Sequence, residues 1–133
     1  MLDASDRIAL HELAALYGHL LDQRRWDDLH LVFTEDLVYE GLTHTTGSIA
    51  EKVALWTSEN GIRRHPLAHH ITNPVVTEDA DGTVRMICKG IMIRAEVAPV
   101  SIIYEDIAVR TERGWRIAYR KATNRTEQAL AAG

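Results

Sequence analysis

The sequence predicts an α+β fold: a cone-shaped roll in which three helices pack on a strongly curved, mainly antiparallel sheet that encloses a pocket. Apolar residues recur at helical spacing in the first half of the chain, but from residue 68 onward they alternate with polar residues. Short links join the strand-like segments, as in an antiparallel meander. The length of 133 residues fits one domain over residues 1–133.

Three segments of the first half predict helices. Residues 5–25 carry apolar side chains near helical spacing, with Ser5 as the expected N-cap. Residues 26–33 predict a second, short helix. Residues 48–61 predict a third helix, because Ile49, Val53 and Trp56 lie on one helical stripe. Gly61 is at the position where a glycine is expected to end this helix.

The strands are predicted by β-rich, alternating segments with turn residues between them. One precedes the third helix and four follow it: residues 35–42, 68–78, 83–97, 99–112 and 115–123. An Asp-Gly pair marks the first hairpin of the final four strands. The last ten residues, 124–133, predict a loose tail.

Charge and composition narrow the class of protein. The net charge of −4 gives no electrostatic reason to expect nucleic acid or an anionic membrane as partner. No apolar run reaches the length of a membrane span, and the first residues are acidic rather than signal-like, so we expect a cytoplasmic protein. The single cysteine, Cys88, excludes an internal disulfide and is expected to be a buried strand residue.

Three histidines cluster in the stretch HPLAHHITNPVV, residues 65–76. Pro66 forces His65 out of helical geometry, so His65 and His69 cannot form a zinc pair on a helix. His69 and His70 are neighbours in a strand, where successive side chains point to opposite faces. We therefore expect no metal and no other cofactor, and at most one of these two histidines in a given site.

Two further polar residues lie near the end of the first predicted helix. Asp22 is a carboxylate in the unfavourable field of a helix C-terminus. Composition alone favours a solvated charge there, paired with Arg24 or Arg25. Tyr17 is on the apolar stripe, which favours a core aromatic residue.

Three stretches resemble a known superfamily, and together they span most of the chain: YGHLLDQRRWDDLHLVFTEDLVYEG, HHITNPVV and YEDIAVRTERGWRIAYRKATN. They are similar to the nuclear transport factor 2-like superfamily, and most of all to its SnoaL-like branch. That branch includes polyketide cyclases, scytalone dehydratase and bile-acid dehydratase-like proteins, with ketosteroid isomerase more distant. The fold hosts enzymes, binding modules and assembly subunits alike.

The resemblance implies a catalytic pair. In dehydratases of this family an aspartate at the end of the first helix, a few residues before a tryptophan, pairs with a histidine. Asp22 and Trp26 match that pattern. The family register places the histidine at His69, with Asn73 on the same face as a substrate contact. The other register, with His70 inside, remains open.

The resemblance also implies a hydrogen-bond donor. In relatives similar to ketosteroid isomerase, the tyrosine that corresponds to Tyr17 donates to an enolate oxygen. The base of that isomerase would fall near Gly41, next to Glu40, which argues against the isomerase's own mechanism unless Glu40 or His69 substitutes for it. The remaining candidates for substrate contacts are Trp56, Tyr39 and Tyr104. Asp106 shares a strand face with Tyr104 and is expected to be solvated.

The function that the resemblance implies is a small, cofactor-independent lyase or isomerase, dehydratase-like or polyketide cyclase-like. His–Asp acid–base chemistry would act on a hydrophobic small molecule that contains a carbonyl group. The alternative is a non-catalytic ligand-binding or assembly subunit, similar to the small subunit of ring-hydroxylating dioxygenases. A homodimer through the outer sheet face is expected, and a basic strip is expected on that face, formed by Arg94, Arg110, Arg116 and Arg120.

Overall fold

The computed structural model describes residues 1–126 and contains helices followed by a meander of strands. The helical segments are α1 (Ala4–Asp22), a 3₁₀ helix (Trp26–Leu31), α2 (Ile49–Thr57) and α3 (Glu59–Arg64). The strands are β1 (Phe33–Glu40), β2 (Thr45–Thr46), β3 (Ala68–Glu78), β4 (Val84–Ile93), β5 (Val100–Thr111) and β6 (Gly114–Arg125). The α+β class predicted from sequence is confirmed.

One sheet contains all six of these strands, in the order β2-β1-β6-β5-β4-β3. Strands β3 to β6 form the predicted antiparallel meander. Strand β1 runs parallel to β6, so the sheet is mixed. The two-residue strand β2 was not predicted. It pairs antiparallel with β1, with Thr46 opposite Tyr39 and Thr45 opposite Glu40.

Helix α1 begins one residue before the predicted start. Its N-cap is Asp3, not Ser5, because Asp3 and Asp6 form a capping box. The Asp3 carboxylate accepts from the Asp6 backbone N–H at 2.8 Å, and the Asp6 carboxylate accepts from the Asp3 N–H at 3.0 Å. The helix ends at Asp22, three residues before the predicted end.

The predicted third helix is broken in two at Ser58. The backbone of Ser58 is extended, with ψ of 160°, and its hydroxyl accepts from the Gly61 N–H at 3.1 Å. Serine thereby caps a new helix instead of continuing the old one. Gly61 lies inside α3, so its predicted role as a helix-ending residue is wrong.

Strand β6 extends beyond its predicted end and includes Asn124 and Arg125, which the sequence assigned to a tail. Of the rest of that predicted tail, residues 127–133 lie outside the described residues. In residues 1–126, no helix is long and apolar enough to cross a membrane. The homodimer through the outer sheet face stays a prediction.

The expected basic strip on the outer face is wrong. Arg120 is fully buried, and its guanidinium donates to both oxygens of Asp106, at 2.7 and 2.8 Å. Asp106 is buried as well, not solvated as expected. Arg110 instead pairs with Asp6 at 2.9 Å, and Arg94 lies at the cavity described below. The Arg120–Asp106 pair is therefore part of the core. Cys88 is buried in β4, as predicted.

The contact between α1 and β3 depends on Gly18. A Cβ at this position would lie 2.9 Å from the carbonyl oxygen of His69 and 3.0 Å from Cγ1 of Ile71. A backbone oxygen cannot rotate away. We therefore expect Gly18→Ala to lower the free energy of unfolding by about 1 kcal/mol or more, because overpacking outweighs the gain in helix propensity.

Urea denaturation measures this change. A matched control is Gly47→Ala, since a Cβ there meets only the Glu51 carboxylate, at 3.7 Å. We expect the control to stay within about 0.5 kcal/mol of the unmodified protein. Equal changes in the two variants would contradict a close approach at Gly18.

Candidate active site

A cavity of about 450 Å³ lies between the sheet and the helices. Its described lining comes from all three α-helices and from strands β1 and β3 to β6. Five of the residues predicted for the site are in this lining: Tyr17, Tyr39, Trp56, His69 and Tyr104. The volume suits a drug-sized organic molecule.

Asp22 and His69 are in direct contact, although 47 positions separate them. Nδ1 of His69 lies 2.8 Å from Oδ1 of Asp22, and the His69 backbone N–H donates to both carboxylate oxygens, at 2.9 and 3.1 Å. An ionised carboxylate only accepts hydrogen bonds, so Nδ1 carries the imidazole proton. The basic lone pair of His69 is then on Nε2.

The fold explains why these two residues meet. Asp22 is the last residue of α1, and Gly18, one turn earlier, lets the helix approach the backbone of β3 at His69. Strand alternation points His69 inward, where it is buried, and leaves His70 exposed. Arg25 pairs with Asp28 at 2.6 Å, so it does not hold Asp22 as composition had suggested.

Burial controls the charge of His69. Loss of solvent lowers its pKa below the ordinary 6.5, while the hydrogen bond and the charge of Asp22 oppose that shift. The nearby charge of Arg94 lowers the pKa further. His69 is therefore neutral at neutral pH, as a general base must be.

His65 lies beside this pair, with its ring centre 5.6 Å from that of His69. Its Nε2 is 3.0 Å from the carbonyl oxygen of Leu21, to which it donates. Burial lowers the pKa of His65 as well. A neutral neighbour adds no repulsion when His69 takes up a proton.

Two tyrosines form a donor pair in the same cavity. The hydroxyl oxygens of Tyr17 and Tyr39 are 3.0 Å apart, and the Tyr17 ring centre is 6.3 Å from that of His69. Burial raises the pKa of Tyr17 and of Tyr39, so both hydroxyls keep their protons. One hydroxyl donates to the other, and the second proton is available to an oxygen in the cavity.

Arg120 supports the tyrosines from beneath. Its guanidinium carbon lies 4.3 Å from the ring centre of Tyr17 and 4.4 Å from that of Tyr104. Sequence reasoning missed this role. The available signal was strand alternation, which places Asp106 on the inward face with Tyr104.

Lys52 is the second residue that sequence reasoning missed. Its side chain lines the cavity, with Nζ 4.0 Å from the ring centre of Tyr39 and 5.0 Å from that of Trp56. Burial lowers the pKa of Lys52 to about 8. Its position three residues after Ile49 and four before Trp56 places it on the inner stripe of α2, a signal that the sequence carries.

Asn73 is not part of the site. The register of β3 shifts between Thr72 and Val75, and Asn73 occupies this bulge with φ of 55°. Its side chain is exposed, and its Oδ1 accepts from the Thr72 hydroxyl. The extra residue breaks the alternation that was extended from His69 to Asn73, so that predicted substrate contact is wrong.

Glu40 also lies outside the cavity, where it accepts a hydrogen bond from the Tyr119 hydroxyl at 2.7 Å. Over residues 1–126, no three His, Cys, Asp or Glu side chains converge as metal ligands would. The described site thus combines one oriented imidazole base with a pair of protonated phenols.

Solved structures place the fold in a known class. An NTF2-like protein with a cystatin-like fold from Novosphingobium aromaticivorans matches with a TM-score of 0.76 and 24% identity, over 96% of this chain and 87% of that one. A second protein of that bacterium, provisionally named a scytalone dehydratase, matches with a TM-score of 0.71 and 16% identity, over 92% of this chain and 85% of that one. The fold is therefore NTF2-like.

Sequence comparison gives the family. The SnoaL-like domain profile matches residues 3–121, and the chain belongs to this family. Rv2910c, an uncharacterized protein of Mycobacterium tuberculosis, is 35% identical over 128 residues, which cover 91% of this chain and 86% of that protein. The resemblance recognised in the sequence motifs is confirmed.

Proposed function

We propose that this protein is a cofactor-independent enzyme that removes an α-proton from a hydrophobic carbonyl compound. The observation that carries the proposal is the pair formed by Asp22 and His69, with Nδ1 and Oδ1 2.8 Å apart and the imidazole on the cavity wall. A neutral imidazole held by a carboxylate is a general base. The tyrosine pair faces the same cavity and supplies a donor for the carbonyl oxygen.

The first step follows from these positions. Nε2 of His69 takes the α-proton, and the electron pair of the broken C–H bond moves onto the carbonyl oxygen. The hydroxyl pair of Tyr17 and Tyr39 donates a hydrogen bond to the developing enolate. Asp22 stabilises the imidazolium that forms, because its carboxylate already accepts from Nδ1.

Dehydration completes the reaction when the substrate has a β-hydroxyl group. The enolate re-forms the carbonyl, the bond from the β-carbon to oxygen breaks, and the imidazolium returns its proton to the leaving oxygen as water. The Asp–His pattern, which resembles that of family dehydratases, favours this outcome over isomerisation or cyclisation. The structural relative provisionally named a scytalone dehydratase is consistent with that preference.

Exchange of α-protons with deuterium tests the proposal before the substrate is known, since all three reactions begin with this step. Bicyclic ketones and their β-hydroxy derivatives are incubated with the protein in D₂O and followed by proton NMR. We expect accelerated exchange of α-protons in at least one compound, and water loss where a β-hydroxyl is present. Exchange at the buffer rate for every compound that binds would reject catalysis.

The second candidate is a ligand carrier without turnover, which the size of the cavity supports. The same samples separate the two functions. Chemical-shift changes of the protein on addition of a compound report binding. A carrier binds tightly and leaves the α-protons in place, whereas the enzyme binds and exchanges them.

A further inference from the structure

The lysine and arginine residues that line the cavity have no acidic residue beside them in the described part of the lining. Lys52, Arg64 and Arg94 are in its lining, whereas none of the described lining residues is an aspartate or a glutamate. The whole chain has a net charge of −4, so the cationic character is local to the cavity. Clefts lined by one sign of charge concentrate ligands of the opposite sign.

Nearby carboxylates do not neutralise this charge. Asp22 is committed to His69 through three hydrogen-bond contacts, and Asp106 forms a bidentate pair with Arg120. No ion pair between Lys52 and a described carboxylate is present within 4.0 Å. Lys52, Arg64 and Arg94 therefore have no ion-pair partner among the described residues.

Lys52 is the most informative of these cations because it is only 5% exposed. Its ammonium group lies over the rings of Tyr39 and Trp56 at the cavity wall, and no hydrogen bond joins it to an acceptor in residues 1–126. Partial loss of solvent disfavours the charged ammonium, and a lysine side chain is usually long enough to reach bulk solvent instead. A side chain held inward at this cost points to an anionic group that arrives with the ligand.

We propose that Lys52 is the binding site for a carboxylate group of the ligand, so that the protein takes a hydrophobic keto acid. Calling that ligand a substrate rests on the proposed function, but the carboxylate site itself does not. Arg64 and Arg94 are exposed at the cavity and attract the anion, whereas Lys52 holds it. Leu55, Met92 and Ile102 provide apolar walls for the rest of the molecule.

The tyrosine pair connects this site to the base. Tyr17 lies beside His69, Tyr39 lies beside Lys52, and the two hydroxyl oxygens are 3.0 Å apart. A ligand whose carboxylate reaches Lys52 thus presents its middle to the phenol protons and its far part to His69. With a pKa of about 8, the Lys52 amine is mostly protonated at neutral pH, which suits an electrostatic role rather than attack on a carbonyl.

Two matched compounds test the site: 2-naphthylacetate and the neutral 2-naphthylacetamide, which differ in charge but hardly in shape. Each is titrated into the protein at neutral pH and followed by two-dimensional amide NMR. We expect the unmodified protein to bind the carboxylate at least about tenfold more tightly, the size of one charge-assisted contact. The Lys52→Met variant is expected to lose most of this preference, because only the exposed Arg64 and Arg94 then remain to attract the anion.

Lys89→Met is the control, since Lys89 is exposed and lies outside the cavity lining. It should keep the full preference for the carboxylate. Replacement of a buried charge by an apolar side chain is compatible with folding, and Lys52→Gln provides a second neutral variant if Lys52→Met is poorly folded. A preference that survives undiminished in a folded neutral variant overturns the site. So does the absence of any preference in the unmodified protein, including failure of both compounds to bind.

This outcome is separate from that of the deuterium exchange. A carboxylate preference that depends on Lys52, together with no α-proton exchange, keeps the anion site and rejects the enzymatic proposal. Exchange of α-protons in neutral ketones, together with no carboxylate preference, keeps the enzymatic proposal and rejects the anion site.

Discussion

Replacement of His69 by alanine is expected to lower the rate of α-proton exchange by at least about 100-fold, the usual contribution of a positioned general base. Nε2 of His69 is the basic atom of the pair with Asp22, and the neighbouring His65 uses its own Nε2 to bind the Leu21 carbonyl. The Nε2 atom of His65 is therefore not available as a replacement base. The measurement is the initial exchange rate by proton NMR at a fixed concentration of protein.

His70→Ala is the matched control. His70 is the next residue in β3, it is exposed, and it points away from the cavity. Its removal should leave the exchange rate within about twofold of the unmodified value, as for a surface change that touches no reacting group. If His69→Ala retained the full rate, or if the two variants lost equal activity, His69 would not be the base.

Removal of the guanidinium in Arg120→Met should lower the free energy of unfolding by about 3–5 kcal/mol, because it leaves an unpaired carboxylate in the core. The side chains of Arg120 and Asp106 are both 0% exposed and are joined by two hydrogen bonds. The substitution also removes the cation from beneath the rings of Tyr17 and Tyr104. Urea denaturation, followed by circular dichroism, measures the loss.

The double variant Arg120→Met with Asp106→Leu separates lost charge pairing from lost packing. Apolar residues in place of both partners remove the stranded charge, so most of the lost stability should return. A cost below about 1 kcal/mol for Arg120→Met alone would mean that water reaches Asp106 and that the pair is not a core element.

The orientation of the site histidine was accessible from the sequence because strand alternation is a simple geometric rule. His69 and His70 must point to opposite faces, and the family pattern then selected His69. The partner was less accessible. Composition alone favoured a solvated Asp22, and only the resemblance brought it to His69, since no local rule links positions that far apart.

Other features escaped prediction for identifiable reasons. The bulge at Asn73 adds one residue to β3, and alternation cannot be extended across it. Arg120 was assigned outside because charged residues are rarely fully buried. Strand alternation indicates only that Asp106 faces inward; its pairing with Arg120 follows from the register of β5 with β6, where the two residues are directly opposed. Lys52 has the helical spacing of the inner stripe of α2, but lysine is rarely buried, so it was not predicted to line the cavity.

The protonation state of His69 decides whether this cavity holds a base, and nitrogen-15 NMR of the labelled imidazole measures it. Asp22, His65, Tyr17 and Arg94 surround the ring, and burial is the largest influence on its pKa. The pKa of His69 in the folded protein lies below 6.5, the ordinary value that the unfolded chain keeps. As the pH falls, the unfolded chain therefore takes up this proton first, and the free energy of unfolding should decrease. We expect a neutral imidazole at neutral pH, with the proton on Nδ1 and a free Nε2. An imidazolium at neutral pH, or a proton on Nε2, would contradict general-base chemistry at this site.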